Sequence, residues 1–316
     1  MISRRIIALI FLAMTALTMM SSCKTVIPND GAAYVTFTDD VGREISLSKK
    51  PTRVAVLFSS FADIWTLAGG GIYVTVGETV ERGLADADVL LVDSGAGKTV
   101  NTEILISYAP DFVICSADVK AQTDAAQLLH SVGIPAACFR VESFFDYLRV
   151  IGIFTEITEN KDAYKKYGED VADSIRAILE SVPKNDVAPK ILFIRAGSSA
   201  RSTKAKNREQ HFACAMLEEL GAYNIADAAP VLLDGLSIEE ILRQNPDMIF
   251  VTFMGDEEAS KKYFTSLLGD PVWSTLDAVK NGKCHYLVKD LFQYKPNAKW
   301  NEAYEILAEI LYENDK

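Results

Sequence analysis

A group of basic side chains between positions 195 and 208 is the part of this sequence best suited to bind a ligand. Its members are Arg195, Arg201, Lys204, Lys206 and Arg208, with the hydroxyl of Ser198 among them. The segment follows a strand-like run, and open α/β sheets bind ligands at the carboxyl ends of their strands. In a chain with a formal net charge of −11, five neighbouring cations create a local positive field that attracts an anion. A solvated basic loop is the alternative interpretation.

The first half of the chain places polar and aromatic residues in comparable positions, after its own strand-like runs. These residues are Ser59, Ser60 and Phe61 after one run, Glu78 and Arg82 after the next, and Arg140 after a later one. Near the other end of the chain, Phe292 and Tyr294 lie in an irregular segment before the last helix. Their rings are suited to packing on a flat or hydrophobic ligand. We predict that these residues share one binding site with the basic segment.

Other kinds of chemistry are not supported by motifs. The glycine-rich stretch 94–99 resembles a phosphate loop, but Val92 stands where that motif requires Gly, so we exclude nucleotide binding. We place the stretch at the rim of the site, with Lys98 available to an anionic ligand. No nucleophile elbow or acid/base dyad occurs, and we therefore predict a protein that is not an enzyme and needs no cofactor.

The histidines and cysteines do not form a metal site. None of the three histidines has a partner at i, i+4, so a bare zinc or manganese site is not expected. Four cysteines lie beyond the N-terminal segment, at Cys115, Cys138, Cys214 and Cys284, without metal-ligand spacing. We favour buried free thiols and leave open a Cys115–Cys138 disulfide between neighbouring strands.

Strand-like and helix-like segments alternate along the chain, which is typical of βαβ units and parallel sheets. An initial hairpin is predicted over 34–47. The pattern runs through residues 34–159 and restarts in 183–316, which predicts an α/β fold with two lobes. Between them, apolar residues recur at helical spacing from Asn160 to Val182, and Pro183 stops the run. We predict one long inter-lobe helix, with Gly168 as its weak point.

A short internal repeat supports two related lobes. Residues 103–114 and 239–250 both contain a Glu, then Pro-Asp seven residues later, then an apolar strand. Glu103 and Glu239 each fall in the first turn of a helix, where a carboxylate stabilises the helix dipole. Ser237 and Glu240 also fit a capping box. On this pattern alone the two glutamates are structural; the alternative is a matched pair for a partner with two basic sites.

The N-terminal segment is predicted to be a targeting signal. Arg4 and Arg5 precede a short apolar run, and small residues precede Cys23, as in a bacterial lipoprotein signal. We predict a signal peptide over 1–22, a lipid on Cys23 and a polar tether over 23–33. The chain would then be exported and anchored by lipid, at the cell surface or in the periplasm. The acidic net charge argues against nucleic acid as a partner.

The mature chain resembles the substrate-binding proteins of ATP-binding-cassette importers for iron–siderophore complexes, haem and cobalamin. The resemblance rests on 40–45, on 50–56, on the two Glu/Pro-Asp repeats and on 273–283. It implies two Rossmann-like lobes joined by a single long helix, with the ligand in the cleft between them. It also implies that Glu103 and Glu239 dock on arginines of the membrane permease, next to the ATPase.

We therefore expect a monomeric binding protein that captures a metal chelate, with an iron–siderophore complex as the first choice. Haem or a corrinoid is the alternative within the same family. A metal-cluster enzyme or a surface sensor is the alternative from other classes. Because a continuous helix joins the lobes, small lobe movements and a largely preformed cleft are expected.

Overall fold

The computed structural model describes residues 33–93, 99–184 and 187–312, and the part from Ala33 onward forms one compact unit. It begins with the predicted hairpin, in which β1 (Val35–Thr38) pairs antiparallel with β2 (Glu44–Leu47). The turn between them is closed by Asp39, whose carboxylate accepts hydrogen bonds from the backbone and guanidinium of Arg43. Gly42 has φ 82°, a left-handed conformation that glycine adopts at little cost.

The first sheet contains five parallel strands in the order β5–β4–β3–β6–β7. The strands are β3 (Val54–Val56), β4 (Val74–Thr75), β5 (Leu90–Leu91), β6 (Phe112–Ser116) and β7 (Ala136–Phe139). The helices between them are α1 (Ser59–Leu67), α2 (Gly77–Glu81), α3 (Thr102–Ser107) and α4 (Lys120–Ser131). Every residue of β6 is buried, as expected for a strand covered on both faces.

The second sheet repeats this plan in the order β10–β8–β11–β12, with β9 added antiparallel to β8. Its strands are β8 (Lys190–Ala196), β9 (Lys204–Ala205), β10 (Tyr223–Asn224), β11 (Met248–Phe253) and β12 (Cys284–Tyr286). Its helices are α8 (Phe212–Glu219), α9 (Ile225–Ala228), α10 (Val231–Asp234), α11 (Ile238–Gln244), α12 (Glu257–Leu268), α13 (Asp277–Lys280), α14 (Lys289–Phe292) and α15 (Trp300–Tyr312). If β5 and β9 are left out, the two sheets have the same strand order. When the four remaining strands of each sheet are numbered by their order in the chain, they lie across the sheet as 2-1-3-4. The predicted α/β fold with two parallel-rich lobes is confirmed.

The internal repeat has a structural cause at its Pro-Asp step. Asp111 accepts hydrogen bonds from the backbone of Thr52 and Arg53, and Asp247 accepts one from the backbone of Lys190. Each aspartate thereby ties the third strand of its sheet to the first. Partial burial alone would raise the pKa of Asp111, but these donors outweigh it and the pKa is lowered.

The connection between the sheets departs from the predicted single α-helix. After α5 (Phe144–Thr158), the chain forms α6 (Lys161–Tyr164), a π-helical turn (Lys165–Glu169) and α7 (Asp170–Ser181). Helical structure runs from Lys161 to Ser181, but the prediction of an uninterrupted α-helix is wrong at the π-turn. Gly168 is buried there, and a Cβ atom at this position would lie 3.0 Å from Leu148 Cδ1. A side chain at position 168 would force Leu148 to shift, so glycine favours the close approach of α5 to the π-turn.

The π-turn is held by a side chain from α5. The hydroxyl of Tyr147 donates a 2.8 Å hydrogen bond to the carbonyl of Tyr167, inside the turn. A π-turn bonds residues five apart instead of four, so a carbonyl at such a turn needs another donor. Val171 and Ile175, one and two turns further on, are buried in a core that also contains Phe154 and Trp300. In the described residues, the helices are all too short or too polar to cross a membrane.

Candidate functional site

The carboxyl ends of the first sheet meet a segment from the second half of the chain. A cavity of about 130 Å³ lies where they meet, lined by Phe58, Ser60, Phe61, Ser116, Lys295 and Asn297, among others. We call it the seam cavity. Two predicted residues, Ser60 and Phe61, line it. Its volume is below the roughly 300–1,000 Å³ of pockets that enclose a drug-sized ligand. A large ligand therefore needs a wider opening than this conformation offers.

Four predicted binding residues come together beside this cavity. Ser59 donates a 2.7 Å hydrogen bond to Glu78 and accepts one of 2.9 Å from Arg82. The ring of Tyr294 lies 4.1 Å from the guanidinium carbon of Arg82, and the amine of Lys289 lies 5.1 Å from the same ring. Tyr294 thus sits between two cations, in the geometry of a cation–π contact. The group links α1 and α2 to the segment before the last helix.

Sequence reasoning missed the residue that closes the seam. Asn297, with φ 53° and a fully buried side chain, donates hydrogen bonds to the carbonyl of Ser60 and to Asp63. Its own amide oxygen has no hydrogen-bond partner among the described residues. Lys295 adds an ion pair of 3.0 Å with Glu142. The two hydrogen bonds of Asn297 join residues more than 200 positions apart, so no local pattern signals them.

The basic segment folds back onto its own strand. Lys204 of β9 is the cross-strand neighbour of Arg195 in β8, which puts two cations side by side. Burial, assisted by Arg195 and Lys204, lowers the pKa of Lys206. The Nε of Arg195 and the amide oxygen of Asn207 are buried and without a hydrogen-bond partner among the described residues. An anion near Arg195 would supply the missing acceptor and relieve the repulsion.

The remaining residues of the basic segment lie further out. Ser198 and Arg201 are exposed in the turn before β9. Arg208 forms a 2.8 Å ion pair with Glu218, so it is a structural cation. Arg195, Lys204 and Lys206 are therefore the members that the fold brings together.

Two other predicted residues have structural partners. Arg140 pairs with Asp118 at 2.5 Å, so its charge is already balanced at the end of β7. Phe292 is fully buried in the core, away from any surface that a ligand could reach, which corrects our prediction for this side chain. Its neighbour Tyr294 keeps a partly accessible ring. Lys98 and Cys23 lie outside the described residues.

His211 is enclosed between aromatic rings next to the basic group. Its ring lies 4.6 Å from that of Phe193 and 4.9 Å from that of Phe212, and its Nδ1 accepts a hydrogen bond from the backbone of Ala213. Burial, then the charges of Lys295, Arg195 and Lys206, lower its pKa to about 3. The imidazole is therefore neutral at physiological pH and caps α8. No group of three or more His, Cys, Asp or Glu side chains in the described part of the chain is arranged for a metal ion.

The buried neutral His211 predicts a loss of stability in acid. The unfolded state binds a proton with a pKa near 6.5 while the folded state does not, so stability falls as pH drops below about 6.5. Between pH 7 and 5 this residue alone should cost about 2 kcal/mol. Urea unfolding of the His211→Gln variant should show a pH dependence smaller by that amount. His130→Gln, at an exposed histidine, is the matched control; an equal effect in both variants would contradict the assignment.

Glu103 and Glu239 occupy equivalent exposed positions in the first turns of α3 and α11. Each helix directly precedes the third strand of its sheet, β6 or β11, so the two glutamates hold equivalent places in the two halves of the chain. Neither carboxylate forms an ion pair within the described ranges. The neighbouring Glu240 is instead bound by Arg243, which with Gln244 lowers its pKa to about 2. The predicted Ser237–Glu240 capping box is not formed, because the Ser237 side chain makes no capping hydrogen bond.

Two parallel-rich sheets with the same strand order are typical of two-lobed α/β binding proteins. The chain belongs to the periplasmic binding protein family, whose model matches residues 54–291. This family consists of binding proteins, so the prediction that the chain is not an enzyme is confirmed, and it places the chain outside the cytoplasm. No curated protein matches the sequence.

Solved structures with this fold include three with informative names. IsdE from Staphylococcus aureus, complexed with haem, has 17% identity and a TM-score of 0.67, covering 83% of this chain and 99% of that one. SirA from the same species, complexed with staphyloferrin B, has 18% identity and a TM-score of 0.65, covering 88% and 97%. An ABC transporter substrate-binding protein from Listeria monocytogenes has 18% identity and a TM-score of 0.66, covering 84% and 100%. At these identities the likeness concerns the fold.

Proposed function

We propose that the protein is the extracytoplasmic substrate-binding component of an ABC importer and that it captures an anionic ferric chelate of the iron–siderophore type. The observation that carries the ligand class is the group Arg195, Lys204 and Lys206, in which Arg195 keeps a buried donor without a partner. A carboxylate- or catecholate-bearing iron complex supplies acceptors and negative charge at this place.

The cleft is formed by residues from both halves of the chain. On one side lie Ser59, Glu78 and Arg82, and on the other lie the basic group and Tyr294. The ligand enters where the seam cavity now lies, displaces the Tyr294 ring from Arg82, and gains the guanidinium face. Because Arg140 and Phe292 already have structural partners, we leave them out of the ligand shell. Ser198 and Arg201 belong to the rim.

Delivery to the membrane requires a permease and an ATPase. The exposed carboxylates of Glu103 and Glu239, one on each lobe, dock on basic groups of the permease. The lobes are residues 34–159 and 183–316, joined by 160–182. A lipid on Cys23, after removal of the signal peptide 1–22, keeps the protein at the membrane through the tether 23–33. The protein acts as a monomer.

Titration of the purified protein with ferric siderophores, haem and cobalamin tests the ligand class. Binding is measured by quenching of tryptophan fluorescence, and Trp300 packs on Phe144 and Phe212 close to the seam. We expect the anionic ferric complexes to bind, and Arg195→Gln to weaken their binding about 10–100-fold, the value of one or two hydrogen bonds to a charged group. Arg208→Gln, which removes a cation already paired with Glu218, should change affinity little.

Haem and corrinoids are the alternative ligands, and the same titration separates them. The structure offers one argument against haem ligation by histidine: Nδ1 of His211 is occupied as a helix cap, and a backbone hydrogen bond involving Phe292 engages the ring as well. Tight binding of haem with no response to ferric siderophores would replace the siderophore proposal. Absence of binding to all three classes would refute the proposed function.

A further inference from the structure

Two buried cysteines lie side by side in the first sheet. Cys115 in β6 and Cys138 in β7 are partners in the register of the parallel sheet, and both side chains are fully buried. They are free thiols in this structure. Neighbouring strands lie about 4.8 Å apart, which falls within the Cα separations that a disulfide spans. The sheet therefore holds the two sulfur atoms close enough to bond.

The two thiols are in unlike surroundings. A guanidinium nitrogen of Arg43 lies 3.1 Å from the sulfur of Cys138, and the same guanidinium is fixed by Asp39 at 2.7 Å. Asp39 also accepts a 3.0 Å hydrogen bond from the backbone of Cys138. A hydrogen bond from the Cys115 thiol, helped by Arg43, lowers the pKa of Cys138, whereas donating that bond, together with burial, raises the pKa of Cys115. Cys138 is thus the more readily deprotonated of the two thiols, and Cys115 donates the hydrogen bond between them.

The hairpin turn controls access to this pair. The side chain of Arg43 is 26% exposed while it contacts Cys138, so it lies between that sulfur and solvent. The backbone of Asp40 also donates to the carbonyl of Cys138, which holds the turn over the strand. A reagent that reaches Cys138 from this side must therefore displace the Arg43 side chain.

We propose that Cys138 and Cys115 form a thiol–disulfide exchange pair, with Cys138 as the nucleophile, Cys115 as the resolving thiol and a small disulfide of the glutathione type as the oxidant. The Cys138 thiolate attacks one sulfur of the small disulfide, forming a mixed disulfide and releasing one thiolate. That thiolate takes the proton of Cys115. The Cys115 thiolate then attacks the sulfur of Cys138, and the second small thiol leaves as a thiolate that takes a proton from solvent.

The product is a disulfide that links β6 to β7. The cysteine pair has lost two electrons, and the small disulfide has gained them and become two small thiols. Ser116 follows Cys115 directly and lines the seam cavity, and Arg140 lies two residues after Cys138. The bond therefore fixes the two strand ends that support one side of the cleft. This exchange pair is independent of which solute the cleft takes.

Peptide mapping of the full chain tests the pair. The reduced protein is freed of reductant, incubated with oxidised glutathione at pH 7, quenched in acid, unfolded and alkylated. We expect Cys115 and Cys138 to become protected together as one disulfide, while Cys214 and Cys284 stay alkylated. Cys115→Ser should trap glutathione on Cys138, and Cys138→Ser should leave Cys115 unmodified. A folded chain that keeps both thiols free, or an adduct that forms on Cys115 in the Cys138→Ser variant, would overturn the proposal.

Arg43 provides the test of mechanism. Removing the guanidinium in Arg43→Leu should slow formation of the adduct on Cys138 about tenfold at pH 7 and should move the midpoint of its pH profile upward. Arg43→Lys, which keeps a positive charge, should lie between the two. If Arg43 only covered the site, Arg43→Leu would react faster with an unchanged midpoint, and that result would reject its role as the activator of Cys138.

Discussion

Reversing the charge of Glu103 and Glu239 together, to Lys, is expected to abolish uptake through the importer while leaving ligand affinity unchanged. Both carboxylates are exposed, lie on equivalent helices and form no ion pair with the described residues. Placing a like charge against basic groups of a permease costs several kcal/mol, which corresponds to a loss of docking of about 100-fold or more. Transport is measured as uptake of a radioactive iron chelate by cells or proteoliposomes, and ligand affinity is measured by fluorescence titration.

The matched control carries the same change of charge elsewhere. Glu305 and Glu309 are exposed on α15, and reversing both to Lys alters the net charge equally. This control should transport normally. Equal loss of transport in both double variants would point to net charge rather than docking, and normal transport by Glu103→Lys/Glu239→Lys would reject the docking role while leaving ligand capture intact.

Truncating Phe139 to Ala is expected to destabilise the fold by about 3–5 kcal/mol. The ring is fully buried, and it packs against those of Phe37, Phe61 and Phe154 at centroid distances of 5.9, 6.0 and 5.1 Å. These partners come from the hairpin, α1 and α5, so one cavity loosens three elements around the first sheet.

Chemical unfolding in urea, followed by circular dichroism, measures this loss. Phe145→Ala serves as control because its ring is 73% exposed, and a change within about 0.5 kcal/mol is expected there. A similarly small change for Phe139→Ala would mean that neighbouring side chains fill the cavity. The ring contacts of Phe139 would then contribute little to stability.

Local patterns predicted most of the fold. The hairpin, the parallel strands and the helices between them follow from apolar periodicity and from turn residues such as Gly42, because each signal is contained within a few positions. The repeat around Asp111 and Asp247 was predicted because the same tie between strands is encoded twice. The shortest helices escaped prediction, since four residues carry too little periodicity to recognise.

The candidate site was only partly predictable, since it is assembled from distant segments. We selected Ser59, Glu78 and Arg82 because each follows a predicted strand. The carboxyl ends of parallel strands lie at one edge of the sheet, and these three side chains do contact one another there. Sequence position could not distinguish Tyr294, which meets Arg82, from Phe292, which enters the core. The contact of Asn297 with Asp63 depends on tertiary folding alone.

The π-turn between the lobes has a consequence for the length of the chain. A π-turn contains one residue more than the corresponding turn of an α-helix. It therefore accommodates a one-residue insertion without changing the helix beyond a few positions. Residues on both sides keep their directions, and Val171 and Ile175 still face the core. Deleting one residue from 165–169 would therefore yield a regular α-helix with the same buried face. In the shorter chain the carbonyl of Tyr167 would be bonded within the α-helix, and the hydroxyl of Tyr147 would lose its hydrogen-bond acceptor.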